Sequence, residues 1–341
     1  MVDNTEFSDA VRQLYVPRLN SISVRSDYGV RGLLACSENF TVLPSTQKNC
    51  FTISFYNMDD FLGALASDIV RLSSASFETV EGLTTSAKNK KFLAWQMVQY
   101  YYAAFYAAHS ILKICSFGLV QLDNRILQKV KHSANAFSVP FGSMESGMYC
   151  MKIEGASVTF FKVQKYDDSH RGLWARYSDF LGVLTGINTL TDELNSKCVK
   201  LREEGDSKSL SIYNQLSISD AETIVVRLDL LRKTLTTNGD NNWLSSIRNQ
   251  INYNHCFGVW YPYKGYLDSY EKLVSLKDLY KQPFMSSRLE YKHESNLIEF
   301  VKCCENVISM DRELLFDLSK RHPDNKSFLR RGPLELINLS R

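Results

Sequence analysis

Residues 92–120, FLAWQMVQYYYAAFYAAHSILKICSFGLV, constrain this chain more than any other stretch. Apolar or small side chains fill nearly every helical position, so no face is polar enough for water. Such a helix is buried on all sides, in lipid or inside a large protein core. A spanning helix needs about 20 predominantly apolar residues. Here Gln96, Gln99, His109 and Lys113 interrupt the run, and three consecutive tyrosines sit within it. The segment therefore reads as a helix over 92–117 that the rest of the protein must surround, with no membrane span.

Enclosing that helix takes apolar material, and the chain has it. Its 341 residues are 44% hydrophobic and 23% charged, the profile of a globular protein with one large domain or two ordinary ones. The net charge of +3 does not mark the whole chain as a nucleic-acid binder, although a local patch would be enough for that. None of the eight cysteines falls in a C-x-x-C pair, so zinc-ribbon and thioredoxin-like readings lose their main signal. The first residues, MVDNTEFSDAVRQL, are polar and contain no apolar signal core. Reduced thiols and a cytoplasmic location are the expectation.

Along the chain, residues 1–85 read as a small mixed α/β module. Cys50 to Tyr56 alternates and is rich in β formers, a strand; the following DDFLGALASDIVRLSS has helical spacing and acidic residues at its start. The polar, basic TTSAKNKK (Thr84 to Lys91) reads as a linker. A helical domain is expected over 86–322, with a helix start near Leu122 and further helices near 173–186, 189–204, 219–236, 241–255, 266–281 and 291–320. Within it, 147–166 changes character: two β-rich runs flank Glu154-Gly155, which predicts an inserted hairpin. Residues 323–341 read as a polar, basic tail. The fold class is mainly α, a helical bundle with a β-hairpin insertion and that N-terminal module.

The segment Asn241 to Tyr263, NNWLSSIRNQINYNHCFGVWYPY, carries the chemistry. On a helix each residue turns by about 100°. Leu244, Ile247 and Ile251 then form a packing stripe, and Ser245, Arg248, Asn252 and His255 form a wholly polar one beside it. Arginine is a permanently charged fork that matches phosphate oxygens. Histidine can give or take a proton near neutral pH. Together they suit attack of a ribose 2′-hydroxyl on the adjacent phosphate, which needs no metal and spares DNA. Asn249 and Asn252 could position the phosphate or the imidazole. Because the stripe is polar, removing Arg248 or His255 is expected to change stability by only about 0.5 kcal/mol. A second pair, Arg125 and His132, shares a face if its segment is one helix, but ordinary amphipathic residues lie between them. His109 reads as a satisfied core histidine, and Cys256, Cys303 and Cys304 as packing. Trp260, Tyr261, Tyr263 and Tyr266 could stack on unpaired bases or belong to the core or an interface.

RNQINYNH resembles the motif of the HEPN family, the higher eukaryotes and prokaryotes nucleotide-binding domain, in which an Arg is followed by Asn, Asp or His, four or five further residues and a His. WQMVQYYYAAFYAAHSILK is similar to the aromatic- and alanine-rich helix that often precedes that motif, and VKHSANAF to the stretch that follows this helix. The resemblance covers roughly 90–320. It implies a HEPN-like helical bundle and a metal-independent endoribonuclease of toxin or anti-phage systems, with no cofactor. It also implies a homodimer whose motifs meet in one cleft, and a partner protein such as an antitoxin. Carried over, Arg248 and His255 match the catalytic pair and Asn249 the polar residue after the arginine. Some relatives have a Tyr two residues after the His; here that position is Phe257, so the role of that Tyr is either absent or taken elsewhere, with Tyr253 the candidate. Two rival readings stand beside the nuclease: a catalytically silent HEPN-like module that binds a nucleotide, RNA or protein, and a helical scaffold without a ligand.

Overall fold

A computed structural model describes residues 6–23, 25–86, 92–163, 168–185, 218–237, 241–261, 276, 278–285, 296–324 and 326–338. The protein is mainly helical with one antiparallel sheet. The apolar segment forms α4 (Leu93–Ile114, numbering the α-helices in chain order), mostly buried but not on all sides as expected: Trp95 and Gln99 are exposed, and Tyr102, Tyr106 and His109 on the same face are half-buried. It ends earlier than expected. Cys115 caps it, Ser116 turns into the left-handed region at φ 60°, and Leu119–Leu122 forms β3. Gly118 lies in this turn, where a Cβ would come within 2.6 Å of the Met151 side chain, so the turn passes close to the neighbouring strand.

Ala103, Ala104, Ala107 and Ala108 of α4 are all fully buried. These small side chains give α3 (Met58–Ser86) a close approach. Hydroxyls then tie the two helices together: Ser76 Oγ donates to the Ala103 carbonyl at 2.8 Å, and the Ser73 and Ser110 hydroxyls lie 2.8 Å apart. The predicted linker begins inside α3, and residues 87–91 of it lie outside the described residues.

The sheet order is β1 (Phe40–Leu43), β2 (Cys50–Phe55), β5 (Ser157–Lys162), β4 (Gly147–Glu154), β3, all antiparallel. The predicted strand and hairpin are both present, but the hairpin is not a separate insertion. It joins β2, and Phe51 stacks on its cross-strand neighbour Phe160 with ring centroids 4.9 Å apart. The N-terminal segment expected to be its own module thus shares a sheet and a core with the rest. The reason is the burial of both faces of β4: Tyr149, Cys150 and Met151 are successive and all buried. The tail also differs from expectation. Leu329 is fully buried, and α10 (Pro333–Asn338), the last helix, packs on α3.

Other helices are α1 (Glu6–Val11), α2 (Val30–Cys36), α5 (Asn124–Ala136), α6 (Ser169–Thr185), α7 (Ile218–Leu235), α8 (Trp243–Asn252) and α9 (Asn296–Lys320). The expected helix at 189–204 lies outside the described residues, as does most of the one at 266–281. No described helix is long and apolar enough to cross a membrane.

Helix α9 buries four acids. Asp317 accepts from Arg12 Nη2 at 2.7 Å and from Arg12 Nε at 3.1 Å, Glu305 accepts the Tyr280 amide at 2.7 Å, and Glu313 accepts the Phe284 amide. Asp311 is fully buried near the Ser73–Ser110 pair. Burial pushes Glu305 and Asp311 up to about 8 from ordinary values of 4.5 and 3.8. Between those limits the native chain holds protons that the unfolded chain has released. These two groups therefore make stability fall as pH rises from about 4 to about 8. Replacing both, as Glu305→Gln with Asp311→Asn, should flatten that fall. Urea midpoints at about pH 5 and about pH 8 check it; an unchanged difference between the two pH values would assign the effect elsewhere.

Candidate active site

Helix α8 packs through Leu244, Ile247 and Ile251, all buried, as the spacing predicts. The polar stripe beside them does not stay one surface. Ser245 and Arg248 are 2% and 8% exposed and turn inward to α4. Asn252 is half-buried, while Asn249, Tyr253 and His255 are exposed.

What receives Ser245 and Arg248 is Tyr101, in the middle of α4. Its hydroxyl lies 2.8 Å from Ser245 Oγ and 2.8 Å from His170 Nδ1, and it accepts Trp174 Nε1–H at 3.2 Å. Neutral His170 satisfies this set, with Nδ1 accepting from Tyr101 and Ser245 donating to it. Burial lowers the His170 pKa, and the Arg248 charge lowers it further against Asp168. Burial likewise raises the Tyr101 hydroxyl, opposed by Ser245, Trp174 and the Arg248 charge. One phenol thereby joins α4, α6 and α8.

The Arg248 guanidinium lies over two rings, 5.1 Å from the Tyr101 centroid and 5.8 Å from that of Tyr102. Its Nε has no hydrogen-bond partner, and among the described residues no carboxylate pairs with it. Ring faces offset part of the cost of a desolvated cation, but a buried charge ordinarily needs a counter-ion. Arg248 is therefore not the surface residue expected: it is packed against rings, and among the described residues no carboxylate balances its charge.

His255 is placed by something other than helical spacing. The helix ends at Asn252, and the Tyr253 amide caps it on the Asn249 carbonyl at 2.9 Å. His255 adopts φ 53° and ψ 31°, and Phe257 adopts φ 68°, both left-handed and unusual for residues with a side chain. The four-member stripe therefore stops at Asn252. The His255 ring instead stacks on Trp260, centroids 5.3 Å apart. Trp260 Nε1 donates to the Ile251 carbonyl at 2.7 Å, satisfying a free acceptor at the helix end. Trp260 also meets Trp95 of α4 edge-on at 5.7 Å. Among the described residues no hydrogen bond or ring contact joins Arg248 to His255.

The other candidates separate cleanly. Arg125 and His132 do lie on one continuous helix, α5, and both are exposed. Cys303 and Cys304 are fully buried, as expected for packing. Tyr263 and Tyr266 lie outside the described residues. Among the described residues no three His, Cys, Asp or Glu side chains converge as a metal site. Sequence reasoning missed Tyr101 and His170. The Asp-Ser-His that opens α6 was the one local sign, and its partner is 69 residues away. The chain matches no family model, no curated protein and no solved structure.

Two substitutions test this account. Tyr101→Phe leaves three polar groups short of a partner and should cost about 1–3 kcal/mol. Arg248→Met keeps contact with the rings and removes the uncompensated charge, so it should stabilise by on the order of 1 kcal/mol. Urea denaturation reads both; destabilisation by Arg248→Met would mean that the charge is compensated after all.

Proposed function

We propose that this chain is a metal-independent endoribonuclease of the HEPN type that cuts single-stranded RNA. The observation that carries the reading is Arg248, a buried guanidinium without an acidic partner among the described residues. It has the charge and geometry to receive a phosphodiester. Trp95 of α4, Trp260 and His255 form a series of ring contacts with exposed members, which suits stacking on unpaired bases.

In the proposed reaction the ribose 2′ oxygen attacks the adjacent phosphorus and its proton passes to an imidazole. The bond from phosphorus to the 5′ oxygen breaks, and that oxygen takes a proton from a second imidazole. The products are a 2′,3′-cyclic phosphate and a 5′-hydroxyl. Arg248 offsets the charge that builds on the phosphoryl oxygens, and His255 transfers a proton. Asn249 and Asn252 position the phosphate or the ring, and Tyr253 contacts the substrate. A second exposed histidine comes from a second copy, because a two-fold axis brings identical patches together. A homodimer is therefore the proposed active form, in a cytoplasmic toxin or anti-phage setting with a restraining partner.

A specific observation favours a second reading, an RNA-binding module without activity: His255 leaves the helix and has no described contact with Arg248. One experiment separates the two. Purified protein with EDTA and labelled single-stranded RNA should yield cyclic-phosphate ends, and DNA should remain intact. His255→Ala should abolish cleavage and keep RNA binding, whereas Arg248→Met should weaken both. Tight RNA binding without cleavage by the wild type selects the silent module; a strict need for a divalent metal would falsify the mechanism.

A further inference from the structure

A cavity of about 710 Å³ opens between α2, α3, α4, β3 and the start of α5. That volume is in the range of small-molecule sites. Its charges are unbalanced. Arg31, Arg71, Lys113 and Arg125 line it against only Asp68 and Asp123, four positive charges to two negative, an excess of two. Asp123 pairs with Arg31 at 2.6 Å. Asp68 serves two cations at once, Lys113 at 3.2 Å and Arg71. Arg125 has no acidic partner among the described residues. His109 lines the same cavity, and burial with nearby Lys113 and His170 pushes it down to about 3, so it adds no charge near neutral pH.

Most of the rest of the lining is apolar. Phe105 and Tyr106 present rings to the cavity, with Leu72, Val120 and Ile126 around them. A planar ring can pack on either aromatic side chain, whose rings stand 71° apart, and a dianion neutralises the excess charge. A phosphate monoester is close to a dianion at neutral pH, and guanidinium groups bind its oxygens in pairs.

We propose that this cavity is a binding site for a phosphate monoester of a small planar-ring compound, the class to which nucleoside monophosphates belong. The site is separate from the Arg248 centre, although Phe105 touches both His109 and His170, with centroids 4.9 Å and 4.5 Å apart. It does not depend on the nuclease reading.

Calorimetric titration of the full chain tests it, with AMP and UMP as probes and with adenosine and inorganic phosphate as separate arms. At least one nucleotide should bind about tenfold or more tighter than either fragment. Arg125→Glu should weaken that binding at least tenfold; the new acid sits in the first turn of α5, where negative charge favours a helix. Arg71→Ala, a change at an exposed position, should weaken it as well. Arg248→Met should leave it unchanged. Absence of nucleotide binding, equal binding by Arg125→Glu and Arg71→Ala, or loss of binding in Arg248→Met alone would each overturn the proposal.

Discussion

The burial of most of α4 governs the rest of the molecule. A helix with so little polar surface must recruit neighbours over most of its circumference, and α3, α6, α8, α9 and β3 supply them, leaving the face of Trp95, Gln99, Tyr102 and Tyr106 partly open. Its few polar groups are then carried into the interior and need partners there. Tyr101 is the main case. Its hydroxyl draws Ser245, His170 and Trp174 to one point, and the helices that bear them come along. The candidate site lies where it does because a tyrosine in the middle of a buried helix has to be satisfied.

Two kinds of buried charge stand in contrast. Three of the acids of α9 accept from named donors, Arg12 or backbone amides, so each has a structural explanation. Arg248 lies beside rings and a neutral imidazole, and among the described residues its Nε has no acceptor and no carboxylate pairs with it. Folds rarely retain an uncompensated cation for stability alone. The same logic distinguishes the cavity, where one carboxylate is divided between Lys113 and Arg71 and the rim arginine on α5 is left over.

Much of the architecture was legible because it follows local periodicity. The strand at Cys50–Phe55, the hairpin about Glu154-Gly155, the buried helix and the apolar stripe of α8 all come from spacings of two or of three and four residues. What escaped depends on distant partners or on turn geometry. The sheet unites strands about 100 residues apart: Thr52 pairs with Thr159. No window of sequence shows that. His170 meets Tyr101 only through tertiary packing. The departure of His255 from the helix is a turn effect: left-handed backbone at His255 and Phe257, held by Trp260 on the Ile251 carbonyl. Helical spacing extrapolated past Asn252 could not anticipate it.

The bond between Arg12 and Asp317 spans 305 residues. Phe7, which packs on Phe284, and Leu14 are both fully buried in the finished protein. During synthesis neither contact can form until the distal partner has left the ribosome. At typical elongation rates that interval is roughly 15 to 60 s. For that time Phe7 has emerged without its native cover on Phe284. Anything in the cell that binds exposed hydrophobic segments therefore has a longer opportunity at the helix Glu6–Val11 than at the strands at 50–55 and 157–162, which become able to pair sooner.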